Sequence, residues 1–142
     1  MTTSSEQPEG TARWQVRPRT AALADGAPTA LEVLHDELGR IERRIDDVIL
    51  QGRDSFREGS DSYDRAIVAV LRLAALFEDS TRYAPHLDVV LPEERRGITT
   101  MRDITAHSGY GAINTEIFWR TVTERLPEVI ARARQSSPAT WR

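Results

Sequence analysis

The sequence predicts an all-α protein, an up-and-down bundle of four main helices over residues 29–135. Apolar residues recur there at spacings of three and four, which is typical of amphipathic helices. Capping residues and prolines or glycines stand at the ends of these stretches, and no stretch alternates apolar and polar residues as a strand would. Residues 1–28 lack such a pattern and are predicted to be a flexible, disordered N-terminal arm. Residues 136–142 are predicted to be a short C-terminal tail.

The first helix is predicted to begin after Thr29, because Glu32 follows it at the capping-box spacing. The expected buried stripe consists of Leu31, Leu34, Leu38, Ile41, Ile45 and Val48. The rest of this surface is charged, and Gly52 predicts the end of the helix.

The second helix is predicted to follow the turn residues 59–62. From Tyr63 to Thr81 the chain is apolar on most sides, which indicates a helix in the middle of the bundle. Residues 84–91, which include Pro85, are expected to form an extended link.

The third helix is predicted to begin at Pro92, a favoured first helical position, and to stop at residues 108–109. Its expected inward residues are Ile98, Met101, Ile104 and Thr105.

The fourth helix is predicted to begin at the capping residue Asn114. Its expected inner face consists of Ile117, Phe118, Val122, Leu126, Val129 and Ile130. Pro127 lacks the N–H that would bond the carbonyl of Thr123, so a kink is expected there.

The composition excludes several classes of function. The net charge is −3, from 22 acidic residues and 19 basic residues that are all Arg, so no global cationic field indicates nucleic-acid binding, and no DNA partner is expected. The absence of Cys excludes a disulfide scaffold, a thiol nucleophile and a thiolate zinc site. No apolar run approaches the ~20 residues that span a bilayer, so we expect a cytoplasmic protein without a membrane partner.

Few residues have a pattern suited to catalysis. There is no glycine-rich phosphate loop and no His-Glu-x-x-His, and we expect neither a metal nor a cofactor. His35 is expected at the surface of the first helix, and His86 is expected in the link after Pro85. His107 differs because Arg102, Asp103 and Tyr110 lie close to it at a predicted helix end. Capping alone accounts for an Arg and a His there, since both stabilise free helix carbonyls.

Arg102 and His107, with four residues between them, match the Arg-x4–6-His motif of the HEPN superfamily. The chain resembles more narrowly the HepT-like toxins, whose later motif positions follow in order here: Tyr110, Ile113–Asn114, Trp119 and Leu126–Pro127. Asn114 stands where the family has Asp. Two residues separate His107 from Tyr110, where the family has one.

The resemblance implies a HEPN-like, homodimeric, metal-independent ribonuclease toxin that a minimal nucleotidyltransferase antitoxin neutralises. It implies that His107 is the general base or acid and that Arg102 binds the phosphoryl oxygens in the transition state. Asp103 would support one of these two residues. Tyr110 would stack an RNA base or be the site where the antitoxin attaches AMP.

Helical geometry constrains this interpretation. A spacing of five residues turns an ideal helix through about 140°, so Arg102 and His107 point apart unless the helix ends at His107 or two chains share the site. Two alternatives therefore stay open. One is a non-catalytic HEPN-like bundle that binds a partner protein or nucleotide, and the other is a structural dimer in which both residues cap a helix.

Overall fold

The computed structural model describes residues 26–108 and 110–135, and this part of the chain is helical without any strand. Its α-helices are α1 (Ala30–Gln51), α2 (Asp61–Glu78), α3 (Ser80–Leu87), α4 (Pro92–Ser108), α5 (Thr115–Arg120) and α6 (Leu126–Gln135). A π-helical turn (Thr121–Arg125) makes α5 and α6 one continuous unit. The all-α bundle is confirmed, with α3 as a short addition to the four main helices. The predictions for residues 1–25, 109 and 136–142 lie outside the described residues.

Helix α1 begins with the predicted capping box. The Thr29 hydroxyl accepts the Glu32 amide at 3.1 Å, and the Glu32 carboxylate accepts the Thr29 amide at 2.8 Å. The predicted stripe is buried from Leu34 to Val48, whereas Leu31 is half-buried. The helix ends at Gly52, whose φ of 88° favours glycine.

Helix α2 lies antiparallel to α1, as the ion pairs Arg65–Asp47 and Arg72–Glu37 demonstrate. It also contacts α3 and α4. It ends at Glu78 instead of Thr81. Helix α2 is covered on most sides, as expected, and one face is more open, where Val68 and Leu71 are 38% and 37% exposed.

The predicted extended link at residues 84–91 is wrong, because its first half belongs to α3. Pro85 removes one N–H from this helix. Tyr83 and Leu87 offset that loss, since they lie four residues apart on one face and are 5% and 2% exposed. Tertiary burial thus outweighs the local signal of the proline. His86, expected in a link, is a half-buried residue of α3.

Helix α4 begins at Pro92 and ends at Ser108, as predicted. Its inner face is less buried than expected. Ile98 is 4% exposed, but Met101, Ile104 and Thr105 are only half-buried. The helix therefore packs against α2 through a narrow line of contacts and leaves much of its surface open.

The α5–α6 unit begins after Asn114, whose side-chain oxygen accepts the Ile117 amide at 3.0 Å. Its inner face is as predicted except for Ile117, which is 61% exposed. A π turn precedes Pro127, and in it the Leu126 amide bonds the Thr121 carbonyl five positions earlier. The kink expected at Pro127 stays a prediction.

Aromatic rings fill the core where the α1–α2 loop meets α5. The Phe56 ring lies 5.1 Å from Tyr63, 5.5 Å from Phe118 and 5.1 Å from Trp119, measured between ring centroids. Phe56, Tyr63 and Phe118 are fully buried. This cluster holds the start of α5 against the α1–α2 pair.

Candidate functional site

The C-terminal half of α4 carries the residues singled out by the sequence. The helix is regular across Arg102 and His107 and continues to Ser108. It does not end at His107, so the two side chains keep the separation of about 140° that an α-helix gives this spacing. One chain alone does not bring them together.

Arg102 is held by two carboxylates. Its Nε and Nη2 donate to Asp103 Oδ1 at 3.1 and 3.0 Å, and its Nη1 forms an ion pair with Glu78 Oε2 at the end of α2. The Arg102 side chain is 27% exposed, against 58% for Glu78. A phosphate that approached this guanidinium would have to displace at least one carboxylate.

His107 is exposed, and its Nδ1 lies 3.0 Å from the main-chain carbonyl oxygen of Asp103. A carbonyl oxygen only accepts hydrogen bonds, so Nδ1 carries the proton in the neutral ring. Nε2 is then the basic nitrogen. This is the tautomer that a general base requires, and it is equally the contact that a helix-capping role predicts.

Asp103 therefore touches both residues, with its carboxylate on Arg102 and its main-chain carbonyl on His107. Tyr110 begins a 3₁₀ turn directly beyond α4 (Tyr110–Ala112), but its side chain lies outside the described part of the structure. Trp119 is half-buried against Phe56, as expected for a packing residue.

The arginines near α4 are also largely engaged. The Arg95 guanidinium lies 5.1 Å from the centre of the Phe77 ring, and Arg120 pairs with Glu116 at 3.5 Å. Arg96 is exposed on α4. The local surface therefore offers a polyanion only a modest positive charge.

His35 and His86 lie on α1 and α3, and neither is on α4 with the candidate residues. Burial lowers the pKa of His35, and the positive charges of Arg134 and His86 lower it further. His35, expected at the surface, is therefore half-buried instead.

A groove of about 560 Å³ separates α4 from the α5–α6 unit. Ile98, Met101 and Ile117 contribute apolar surface to it. Sequence reasoning missed this groove, because it treated Met101 and Ile117 as residues of a closed core. The exposure of Ile117 arises from the position of α4, which no local pattern reveals.

No family model, curated protein or solved structure matches this chain. Within residues 26–108 and 110–135, no helix is long and apolar enough to cross a membrane. The same residues contain no grouping of three His, Asp or Glu side chains that could hold a metal ion.

Proposed function

We propose that this protein is a HEPN-like, metal-independent endoribonuclease that acts as a homodimer. The main support for the proposal is the setting of His107. Its imidazole is exposed, and its Nδ1 donates a hydrogen bond to the main-chain carbonyl oxygen of Asp103. That contact leaves Nε2 as the nitrogen that accepts a proton in the neutral ring. The motif Arg102-x4-His107, with the later positions in family order, supports the same conclusion.

The proposed reaction needs no group outside the protein and RNA. Nε2 of one His107 takes the proton of a ribose 2′-OH, and the 2′-oxygen forms a bond to the adjacent phosphorus. The bond from phosphorus to the 5′-oxygen breaks, and the same imidazole, now protonated, gives its proton to that oxygen. Arg102 binds the phosphoryl oxygens as their charge increases. The products carry a 2′,3′-cyclic phosphate and a 5′-OH.

The geometry of α4 requires two chains for this chemistry. Arg102 and His107 of one chain point apart, whereas a twofold axis could place Arg102 opposite His107 of the partner subunit. Two such composite sites would form per dimer. Without substrate, the Arg102 guanidinium forms ion pairs with the carboxylates of Glu78 and Asp103. A substrate phosphate would replace one of these carboxylates as the partner of Arg102.

A mixing experiment tests the shared site. Purified protein is incubated with RNA and a chelator, and the product ends are analysed. His107→Ala and Arg102→Ala should each abolish cleavage. A refolded mixture of the two variants should recover about a quarter of the wild-type activity, because half the dimers are mixed and each has one intact site.

Matched controls exist for both substitutions. His86→Ala removes an imidazole from α3, and Arg96→Ala removes an exposed guanidinium from α4; both should leave cleavage unchanged. Cleavage that survives His107→Ala and Arg102→Ala would disprove the catalytic assignment. Failure of the mixture to recover activity would disprove the two-chain site.

We also propose that the protein is a toxin that a minimal nucleotidyltransferase neutralises by attaching AMP to Tyr110. Tyr110 is three residues after His107 in the sequence, so an added AMP would bring negative charge close to the motif and repel RNA. Co-expression with such an enzyme should add AMP to the wild type but not to Tyr110→Phe. Growth arrest by the wild type and not by His107→Ala would support the toxin role.

A second function is favoured by the two carboxylates on Arg102. If Arg102 serves to attach α4 to α2, the protein is a non-catalytic bundle that binds a partner protein or nucleotide. In that case the wild type produces no cyclic phosphate, while Arg102→Ala lowers the free energy of unfolding. For the same variant, Arg102→Ala, the ribonuclease proposal predicts a large loss of cleavage and only a small change in the free energy of unfolding.

A further inference from the structure

The groove between α4 and the α5–α6 unit, called here the α4–α6 groove, has an apolar floor. Ile98, Met101, Leu126 and Val129 line it, and Ile117 stands exposed at its rim. Covering apolar surface is favourable by about 25 cal/mol per Å². The groove is thus suited to one or two large apolar side chains.

The rim of the groove has an excess of negative charge. Glu93 and Glu124 line it and have no ion-pair partner among the described residues. Arg125 also lines the rim, while Arg120 is paired with Glu116. The lining carboxylates of Glu93, Glu94 and Glu124 outnumber the lining guanidinium groups of Arg120 and Arg125, so a cationic occupant fits better than an anionic one.

A segment of this chain has the matching chemistry. Residues 13–19 read Arg-Trp-Gln-Val-Arg-Pro-Arg, with three arginines and no acid. In an extended conformation Trp14 and Val16 would face one side, while Arg13 and Arg17 would face the other. The apolar side could enter the groove while the guanidinium groups reach Glu93 and Glu124.

The stretch of chain between Trp14 and the described part of the structure is long when extended. Trp14 precedes Gly26, the first described residue, by 12 positions, and such a stretch spans up to about 40 Å when extended. Helix α4 has 17 residues and is therefore about 25 Å long. The extended stretch is therefore longer than α4.

We propose that residues 13–19 bind in the α4–α6 groove of their own chain, with Trp14 beside Met101. This interaction does not depend on the ribonuclease proposal. It covers the exposed apolar surface of α4 on the face next to Arg102.

Methionine labelling tests the proposal directly, because Met1 and Met101 are the only methionines. In the full-length protein with ¹³C-labelled methionine methyl groups, we expect an NOE between the Trp14 ring and the Met101 methyl. Trp14→Ala should abolish this NOE and shift the Met101 signal. Trp14→Phe should retain part of the shift, because an aromatic ring remains in the groove.

Further variants separate the possible occupants. Trp141→Ala is the matched control and should leave the Met101 signal in place; a shift there would assign the groove to the C-terminal segment and overturn the proposal. An NOE found only between labelled and unlabelled chains would assign it to a second copy, with the same consequence. The double variant Glu93→Arg with Glu124→Arg should release the segment, and a Met101 signal unaffected by it and by Trp14→Ala would also overturn the proposal.

Discussion

The guanidinium of Arg102 on α4 forms an ion pair with the carboxylate of Glu78, the last residue of α2. The two residues are far apart in sequence and belong to different helices. Through this contact the arginine proposed to bind phosphate also attaches its helix to the core. Any role of Arg102 in function must therefore compete with its role in packing.

Glu78→Gln should increase the rate of RNA cleavage several-fold, because phosphate would then compete with one carboxylate fewer for Arg102. The free energy of unfolding should fall by no more than about 1 kcal/mol, since exposed ion pairs contribute little. Cleavage assays and urea denaturation measure the two effects. Asp46→Asn, an exposed acid on α1, is the control. A decrease in cleavage would instead identify Glu78 as a residue that positions Arg102.

Arg72→Ala should destabilise the fold by about 1–2 kcal/mol. Arg72 donates from Nε and Nη2 to both oxygens of Glu37, at 2.7 and 2.6 Å, and the pair is largely shielded, with side chains 34% and 18% exposed. Arg72→Lys should recover only part of the loss, because an ammonium cannot make the paired contact. Urea denaturation provides the measurement.

The control for this pair is Arg40→Ala. Arg40 pairs with Asp36 on the surface, with side chains 52% and 62% exposed, so its loss should cost less than about 0.5 kcal/mol. If Arg72→Ala and Arg40→Ala lowered the free energy of unfolding equally, shielding of the ion pair from solvent would not explain its contribution.

His35 should make stability depend on pH. Its pKa in the folded protein lies below the usual 6.5 because of burial and the charges of Arg134 and His86. The unfolded chain therefore binds more protons below pH 6.5, and stability falls as the pH drops from there towards the lowered pKa. Above pH 6.5 His35 contributes no pH dependence.

Urea denaturation between pH 5 and 7.5 measures this effect. His35→Gln should flatten the slope below pH 6.5. His107→Gln, which alters an exposed imidazole, should keep most of it. An unchanged slope in His35→Gln would assign the dependence to other groups.

Gly97→Ala should stabilise the protein by about 0.5–1 kcal/mol. Gly97 lies within α4, and a Cβ added there meets nothing within 4 Å. Gly52→Ala should do the reverse, because its φ of 88° strains any residue with a Cβ. Thermal denaturation of the two variants gives the comparison, and stabilisation by both would contradict the backbone argument.

Much of the fold follows from local signals. The Thr29 cap, the buried stripe of α1, the Pro92 start and the Asn114 cap were all predictable, since each depends on residues within one or two turns. Helix α3 was not, because the burial of Tyr83 and Leu87 by distant elements outweighs Pro85.

In the candidate site, too, the features that depend on local sequence were predictable and those that depend on packing between helices were not. The sequence singled out Arg102, Asp103 and His107, and the structure places all three on the helix that the sequence predicts. Glu78 was missed, because its contact with Arg102 depends on how α4 crosses the end of α2. The exposure of Ile117 was missed for a related reason, since it depends on the space between α4 and the α5–α6 unit.

The half-buried inner face of α4 affects how the protein opens. With Ile98 as its well-buried residue and Met101, Ile104 and Thr105 only partly covered, this helix has less to lose on detachment than α1 or α2. Its amide hydrogens should exchange with solvent faster than those of α1, while the aromatic cluster around Phe56 stays closed. The segment bearing Arg102 and His107 can thus undock as a unit without global unfolding.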